Sequence, residues 1–263
     1  MFSPQGTYKA VGLFSTEHII VIFCTFLLIG VAVFCTRKMQ TKTFFKLAKI
    51  FAIMLTCMEC FKIIWTWTCN KSFRVDDWVP LYFCSLFIYA LWFAISKNEF
   101  LKQCGLAFIA VAGVSCGAIF ILSPTTSFRM YPIFHFQCMY SILFHSLMVY
   151  MGFMIYFSKS INYSLNTVVK YCCFCLIFMS IAQIINYTQG SNLMFLIDPH
   201  FVPVKALTLI YDCSPILYTV CAILGHLSLS LILYIIVKTS AKNKKSILIT
   251  QQDEEELQDN NNV

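Results

Sequence analysis

The chain of 263 residues is 59% hydrophobic and only 12% charged, whereas soluble domains average about 45–50% apolar and about 25% charged residues. So few charges cannot cover the surface of a water-soluble fold of this size, which excludes a soluble globular domain, a nucleic-acid-binding protein and a disordered chain. Because the apolar runs are long and continuous rather than alternating, they argue against a β-barrel and predict an all-α polytopic membrane protein.

Runs of about 20 apolar residues, taken in chain order, predict seven membrane segments. The segments are residues 18–36, 44–68, 78–95, 100–122, 131–157, 168–186 and 216–238. We therefore expect a seven-transmembrane-helix bundle over residues 18–238, between an N-terminal tail (1–17) and a cytoplasmic, disordered tail (239–263). The second segment is the least apolar, since it contains Lys46, Lys49, Glu59 and Lys62. A further apolar stretch, residues 202–211, is expected to lie in the membrane interface.

The basic residues of the loops predict the orientation of the bundle. Five of the 12 acidic residues follow Thr250, so residues 1–250 alone carry a net charge of +12. Nine basic residues lie in the loops from odd to even segments and in the tail, and five lie on the opposite side, which places the N-terminus outside or in a lumen and the C-terminus in the cytoplasm. The nine are Arg37, Lys38, Lys42, Lys97, Lys102, Lys159, Lys242, Lys244 and Lys245; the five are Lys9, Lys71, Arg74, Arg129 and Lys205.

Most of the 14 cysteines lie within apolar runs, where cysteine behaves as a small apolar residue. No combination of His and Cys has the spacing of a zinc site, and we predict neither a metal nor another cofactor. Cys84 differs from the rest because it lies just inside the outer face of the membrane, in the sequence Pro-Leu-Tyr-Phe-Cys-Ser at residues 80–85. A thiolate is a nucleophile, and a neighbouring histidine is its usual activator.

Ionisable side chains inside membrane segments are costly and mark candidate functional positions. Glu59 has two interpretations, an ion pair with Lys62 one turn away and a role in an active site. His226 follows Gly225, has serines nearby, and is expected to be a hydrogen-bonded packing residue.

Two histidines of the fifth segment are candidates to activate the Cys84 thiol. At 1.5 Å per residue, Cys84 lies ~9 Å below the start of its segment and His145 ~21 Å below the start of its own. His135 lies near the outer end of the same segment and is the better partner on depth alone. The residues themselves leave the choice open.

Four features, which occur in a fixed order over roughly residues 15–238, are similar to those of a known family of membrane proteins. They are the sequence at residues 80–85, a glycine-containing fourth segment from Gly105 to Pro124, Phe-His pairs at 134–135 and 144–145, and the element from Asn186 to Leu196 followed by Pro199. On these features the chain resembles the YwaF family of integral membrane proteins and its eukaryotic relative, transmembrane protein one-six-four. It departs from the family at Tyr82, where histidine is frequent, and at Leu193, where tyrosine is frequent.

The eukaryotic relative looks like a cysteine-dependent acyltransferase, so the resemblance implies a membrane-embedded phospholipid acyltransferase with membrane phospholipids as donor and acceptor. Cys84 matches its nucleophile and His145 its histidine. A tetrahedral intermediate needs hydrogen-bond donors for its oxyanion. Ser85, Asn186 and Asn192 are candidates for that role, and Glu59 is a candidate to orient His145.

Three other functions stay open at this point. A transporter or channel would use Glu59, His145 and His226 as a proton relay. A lipid hydrolase would use the same thiol site with water as the acceptor. A non-catalytic membrane scaffold would use the polar residues only to pair helices.

Overall fold

The computed structural model describes residues 2–124, 127–199 and 204–261, with side chains up to residue 239. Over these residues the regular structure consists of nine α-helices and one 3₁₀ turn, without a strand, which confirms the all-α class. The helices are α1 Thr16–Thr36, α2 Thr41–Thr68, α3 Val75–Trp78, α4 Leu86–Ala94, α5 Glu99–Leu122, α6 Phe136–Phe157, α7 Leu165–Gln189, α8 Lys205–Cys213 and α9 Pro215–Asn261; the 3₁₀ turn is Leu193–Phe195.

Among the residues that the structure describes, five helices are long and apolar enough to cross a membrane, namely α1, α5, α6, α7 and α9 as far as Thr239. They correspond to the first, fourth, fifth, sixth and seventh predicted segments. α6 begins at Phe136 rather than at residue 131, because the chain turns after Pro132 and His135 caps the helix. The backbone of α9 continues as a helix to Asn261, and the disorder expected for the tail (239–263) stays a prediction.

The second and third predicted segments are not among these five helices. α2 is 28 residues long, but it carries the charged residues noted above. The third segment is helical only in its second half, since α3 ends at Trp78 and the nine-residue α4 begins at Leu86. Pro80 explains the break, because proline lacks an N–H group and restricts the preceding residue to an extended conformation. Val79 has that conformation, with φ −74° and ψ 120°.

The apolar stretch predicted at residues 202–211 lies partly outside the described residues. From Lys205 onward it forms α8, none of whose residues is buried. Its location in the membrane interface stays a prediction.

α5 lies at the centre of the bundle, where it contacts α4, α6, α7 and α9. Every residue from Cys104 to Gly113 is buried. α1 is peripheral and buries only His18, Thr25 and Ile29. The hydrophobic core therefore forms around α5.

Glycines allow α5 to approach its neighbours closely. A Cβ atom on Gly105 would lie 2.4 Å from the carbonyl oxygen of Ala90 in α4, and one on Gly113 would lie 2.9 Å from that of Met148 in α6. On α6, a Cβ atom on Gly152 would lie 2.6 Å from the amide nitrogen of Val114. Small residues of this kind let helices associate through van der Waals contact in a membrane.

We expect Gly152→Ala to destabilise the protein by about 1–3 kcal/mol, because the added methyl group forces the backbones of α5 and α6 apart. The matched control is Gly30→Ala in α1, where an added Cβ meets nothing within 4 Å and alanine favours the helix. Thermal unfolding of the purified protein in detergent measures both. Equal melting temperatures for the two variants would contradict the packing argument.

Candidate functional site

Cys84 lies in the turn between α3 and α4, two residues before α4 begins. It is a free, half-buried thiol, and Ser85 beside it is the N-cap residue of α4. The neighbouring Phe83 ring packs against Phe108 of α5 and His226 of α9, at centroid distances of 5.5 and 4.4 Å. The segment that carries the thiol is thereby held against α5 and α9.

His145 lies in α6 and has 5% of its surface exposed. Its Nδ1 atom is 2.7 Å from the carbonyl oxygen of Ser141, one turn earlier. Because a carbonyl oxygen can only accept a hydrogen bond, Nδ1 carries the proton and Nε2 of the neutral ring has a lone pair. Nε2 is buried and has no hydrogen-bond partner among the described residues. Such an atom is uncommon in a folded protein and requires an explanation.

Two residues on one face of α5, Cys116 and Phe120, lie near Cys84 and His145 respectively. The His145 ring stacks on Phe120 at a centroid distance of 3.6 Å and an interplanar angle of 6°. Cys116, four residues before Phe120, is an electrostatic neighbour of the Cys84 thiol. Residues four apart share a helix face one turn apart, ~6 Å along the axis. The thiol and the imidazole are not hydrogen-bonded to each other, since Nε2 is unpartnered.

Both ring nitrogens of His135 are hydrogen-bonded, and Nδ1 forms the N-cap of α6. Nδ1 accepts a hydrogen bond from the Gln137 amide at 3.1 Å, and Nε2 lies 3.0 Å from the carbonyl oxygen of Ser3. The ring also stacks on Tyr131 at 4.3 Å. Nε2 therefore carries the proton, and no lone pair of His135 is left for a second partner.

Glu59 is buried and makes two contacts. It forms an ion pair with Lys62 and accepts a hydrogen bond from the Tyr140 hydroxyl of α6 at 2.5 Å. This ion pair with Lys62 is one of the two interpretations of Glu59 that the sequence left open. No hydrogen bond joins Glu59 to His145 within the described residues.

Asn186 and Asn192 hold the segment that follows α7. The Asn186 side chain donates to the carbonyl oxygen of Leu193 and accepts from the Leu193 amide and the Ser191 hydroxyl. The Asn192 side chain donates to the carbonyl oxygen of Asp198 and accepts from the amides of residues 197 and 198.

These contacts support an unusual backbone beside the thiol segment. Met194 and Phe195 have φ angles of 58° and 54°, which cost free energy for residues other than glycine and persist only where the surroundings impose them. The Phe195 ring packs against Tyr82 at 5.6 Å. A carboxylate oxygen of Asp76 accepts a hydrogen bond from the Asn192 amide at 2.7 Å, so the chain before α4 and the segment after α7 are joined.

His226 bonds through Nδ1 to the carbonyl oxygen of Ala222 at 2.7 Å, which agrees with a hydrogen-bonded packing residue. Sequence reasoning missed Phe120 and Cys116, whose four-residue spacing places them on one face of α5. The four-residue spacing can be read from the sequence, but nothing in the sequence shows that this face of α5 lies near Cys84 or His145. Among the described residues, no group of three or more His, Cys, Asp or Glu side chains is arranged to hold a metal ion.

The apolar helices and the fold define an all-helical integral membrane protein. Its family is identified by a family model, described as the TMEM164 family, that matches residues 13–245. The chain belongs to the TMEM164 family. Neither a curated protein nor a solved structure matches it.

We expect Glu59→Gln to destabilise the protein by about 1–3 kcal/mol, because it leaves the Lys62 ammonium without its counter-ion in a site where the lysine side chain is only 19% exposed. Glu99→Gln is the matched control, since Glu99 also pairs with a lysine three residues later but is 67% exposed. Its expected cost is small, because solvent screens an exposed ion pair. Thermal unfolding compares the two variants. A Glu99 variant as unstable as the Glu59 variant would refute the conclusion that burial makes the Glu59–Lys62 pair important for stability.

Proposed function

We propose that the protein is a membrane-embedded, cysteine-dependent phospholipid acyltransferase with Cys84 as nucleophile and His145 as base. The observation that carries the proposal is the lone pair of the buried His145 Nε2 atom, which no described residue uses. The His145 ring lies one helical turn along α5 from Cys116, the neighbour of the Cys84 thiol. The resemblance to the YwaF family and to transmembrane protein one-six-four supports the same pair of residues.

His135 is the less suitable base, although depth alone favours it. Both of its ring nitrogens are already hydrogen-bonded, so its use would break the cap of α6. His145 Nε2 becomes a base without loss of any described hydrogen bond. Catalytic hydrogen bonds are often long in a free enzyme and shorten when the substrate binds, which we propose for the Cys84–His145 pair.

The first half of the proposed reaction transfers an acyl group to sulfur. His145 Nε2 accepts the proton of the Cys84 thiol, and the thiolate attacks an ester carbonyl carbon of the donor phospholipid. The tetrahedral intermediate then expels the glycerol oxygen. This oxygen takes the proton from the His145 imidazolium, which leaves an acyl-thioester on Cys84 and releases a lysophospholipid.

The second half returns the enzyme to its starting state. The hydroxyl group of an acceptor lysophospholipid gives its proton to His145 Nε2, and its oxygen attacks the thioester carbonyl. The carbon–sulfur bond breaks, and the Cys84 thiolate takes back the proton. If water replaces the acceptor, the same steps release a fatty acid, which is the hydrolase alternative.

Other residues have positioning roles in this proposal. Ser85, next to the nucleophile at the N-terminus of α4, is the nearest of the candidate oxyanion donors in the chain. Asn186 and Asn192 maintain the segment whose Phe195 ring covers Tyr82. Glu59 acts on α6 through Tyr140 rather than directly on His145.

We also propose that α2 and the chain from α3 to α4 complete a seven-segment bundle with the N-terminus outside or in a lumen. α2 is long enough to cross a bilayer, at ~42 Å for its length. α4 buries six of its residues in the core. The nine-to-five division of basic loop residues supports the cytoplasmic location of the C-terminus.

The test of the proposed reaction is acyl exchange between a labelled phospholipid and a lysophospholipid in the presence of purified enzyme. We expect Cys84→Ala and His145→Ala each to lower the rate at least about 1,000-fold, because a nucleophile and its base act as one unit. Cys116→Ala is the matched control, since it removes the neighbouring thiol of α5 and should retain the wild-type rate within about threefold.

Mass spectrometry provides a second readout. Wild-type protein incubated with donor alone should gain one acyl group at Cys84, and the His145→Ala protein should not. Full activity in both the Cys84 and His145 variants would overturn the proposal. A transporter or channel would move its solute at an unchanged rate without the Cys84 thiol.

A further inference from the structure

A solvent-open surface cavity of about 700 Å³ lies at the end of the bundle where α2 and α5 begin and α4 ends, and the three α2 lysines that line it are exposed. Four lysines line it, Lys42, Lys46 and Lys49 from α2 and Lys102 from α5. Ser96, just after α4, contributes a hydroxyl group to the wall. Cys84 lies before the opposite end of α4, so this cavity is separate from the proposed catalytic site by the length of that helix, ~13 Å for nine residues.

The charge of the cavity is largely uncompensated. Lys102 pairs with Glu99 at 3.3 Å. Within the part of the chain whose side chains are described, no carboxylate forms an ion pair with Lys42, Lys46 or Lys49. The cavity therefore has a net excess of about three positive charges from these four lysines and Glu99.

The arrangement of the lysines concentrates this charge. Positions 42, 46 and 49 are four and three residues apart, so the three side chains share one face of α2. Like charges at this spacing destabilise a helix. Lys102 reaches toward them from α5, where its Nζ atom lies 5.2 Å from the centroid of the Phe45 ring of α2. An anion bound among them would remove the repulsion.

We propose that this cavity binds a phosphate-bearing anion, supplied by the headgroup of an anionic lipid. Lysine binds phosphate as a compact positive charge, and the Ser96 hydroxyl can donate a hydrogen bond to a phosphate oxygen. The cavity lies at the end of the bundle that carries the basic loops, which is the proposed cytoplasmic end. Anionic lipids are enriched in the cytoplasmic leaflet and attract basic clusters at the membrane boundary. Because the cavity is open to solvent, a headgroup can reach the lysines from the membrane boundary.

The experiment titrates the full-length protein, in a neutral detergent, with a fluorescent short-chain phosphatidylinositol bisphosphate and follows fluorescence anisotropy. We expect saturable binding to the wild type. The triple variant K42Q/K46Q/K49Q should bind about 100-fold more weakly, or about fivefold for each lysine removed. The matched control K38Q/K97Q/K159Q removes three exposed lysines from the loops at the same end, none of which lines the cavity. It should bind within about threefold of the wild type.

Two further arms make the result specific. K42R/K46R/K49R retains the charges and should retain the affinity, and the three single glutamine variants replace the triple variant if that protein does not fold. Inositol trisphosphate tests the source of the phosphate: weak competition supports a lipid headgroup, and competition at the affinity of the lipid overturns the lipid assignment. Undiminished binding by the cavity variants, or an equal loss in the control, overturns the site itself. None of these outcomes depends on Cys84 or on acyltransferase activity.

Discussion

The close approach of α5 to α4 and α6 positions Cys84 and His145, because the thiol precedes α4, the imidazole lies on α6, and both helices pack against α5. At Gly117, a Cβ atom would lie 2.9 Å from the carbonyl oxygen of His145, so α6 meets α5 backbone to backbone at the histidine itself. That contact brings the imidazole onto Phe120, one turn from the neighbour of the thiol. A bulkier residue at this crossing would separate the helices and move His145 away from the turn that carries Cys84.

Several polar side chains of the apolar bundle bond to nearby groups, whereas His145 Nε2, Gln183 Oε1 and Ser127 Oγ are buried without a hydrogen-bond partner among the described residues. Glu59 forms an ion pair with Lys62 and accepts a hydrogen bond from the Tyr140 hydroxyl, and both ring nitrogens of His135 bond to backbone groups. In a membrane an unused polar atom is costly, which explains this pattern. His145 Nε2 departs from it on the same helix as His135. The contrast between the two histidines is therefore one of hydrogen bonding, not of depth.

The helices that sequence analysis anticipated well are those with a single long apolar run. The fourth segment, expected at residues 100–122, is α5 within one residue, since Asn98 caps its start and the run ends at Pro124. The third segment is equally apolar, so hydropathy could not reveal its break, although Pro80 marked the place. The estimate of depth along each helix favoured His135, because it assumes straight helices and takes no account of the N-terminal segment. The Ser3 carbonyl oxygen of that segment is hydrogen-bonded to the His135 ring. In the sequence, the lysines of α2 only lowered the hydropathy of the second segment. Their proximity to Lys102 could not be predicted, because Lys102 is more than 50 residues away in the chain.

The break before α4 has a consequence for the dynamics of the chain. Residues 79–85 are held by short turn bonds, such as the Leu81 amide to the Val79 carbonyl oxygen and the Phe87 amide to that of Cys84, rather than by a continuous α-helical ladder. Local opening of such a segment requires less free energy than opening of a buried helix. Amide hydrogens there should exchange with solvent deuterium before those of α5, so the Cys84 thiol lies on a less protected stretch that packs beside a well-protected helix.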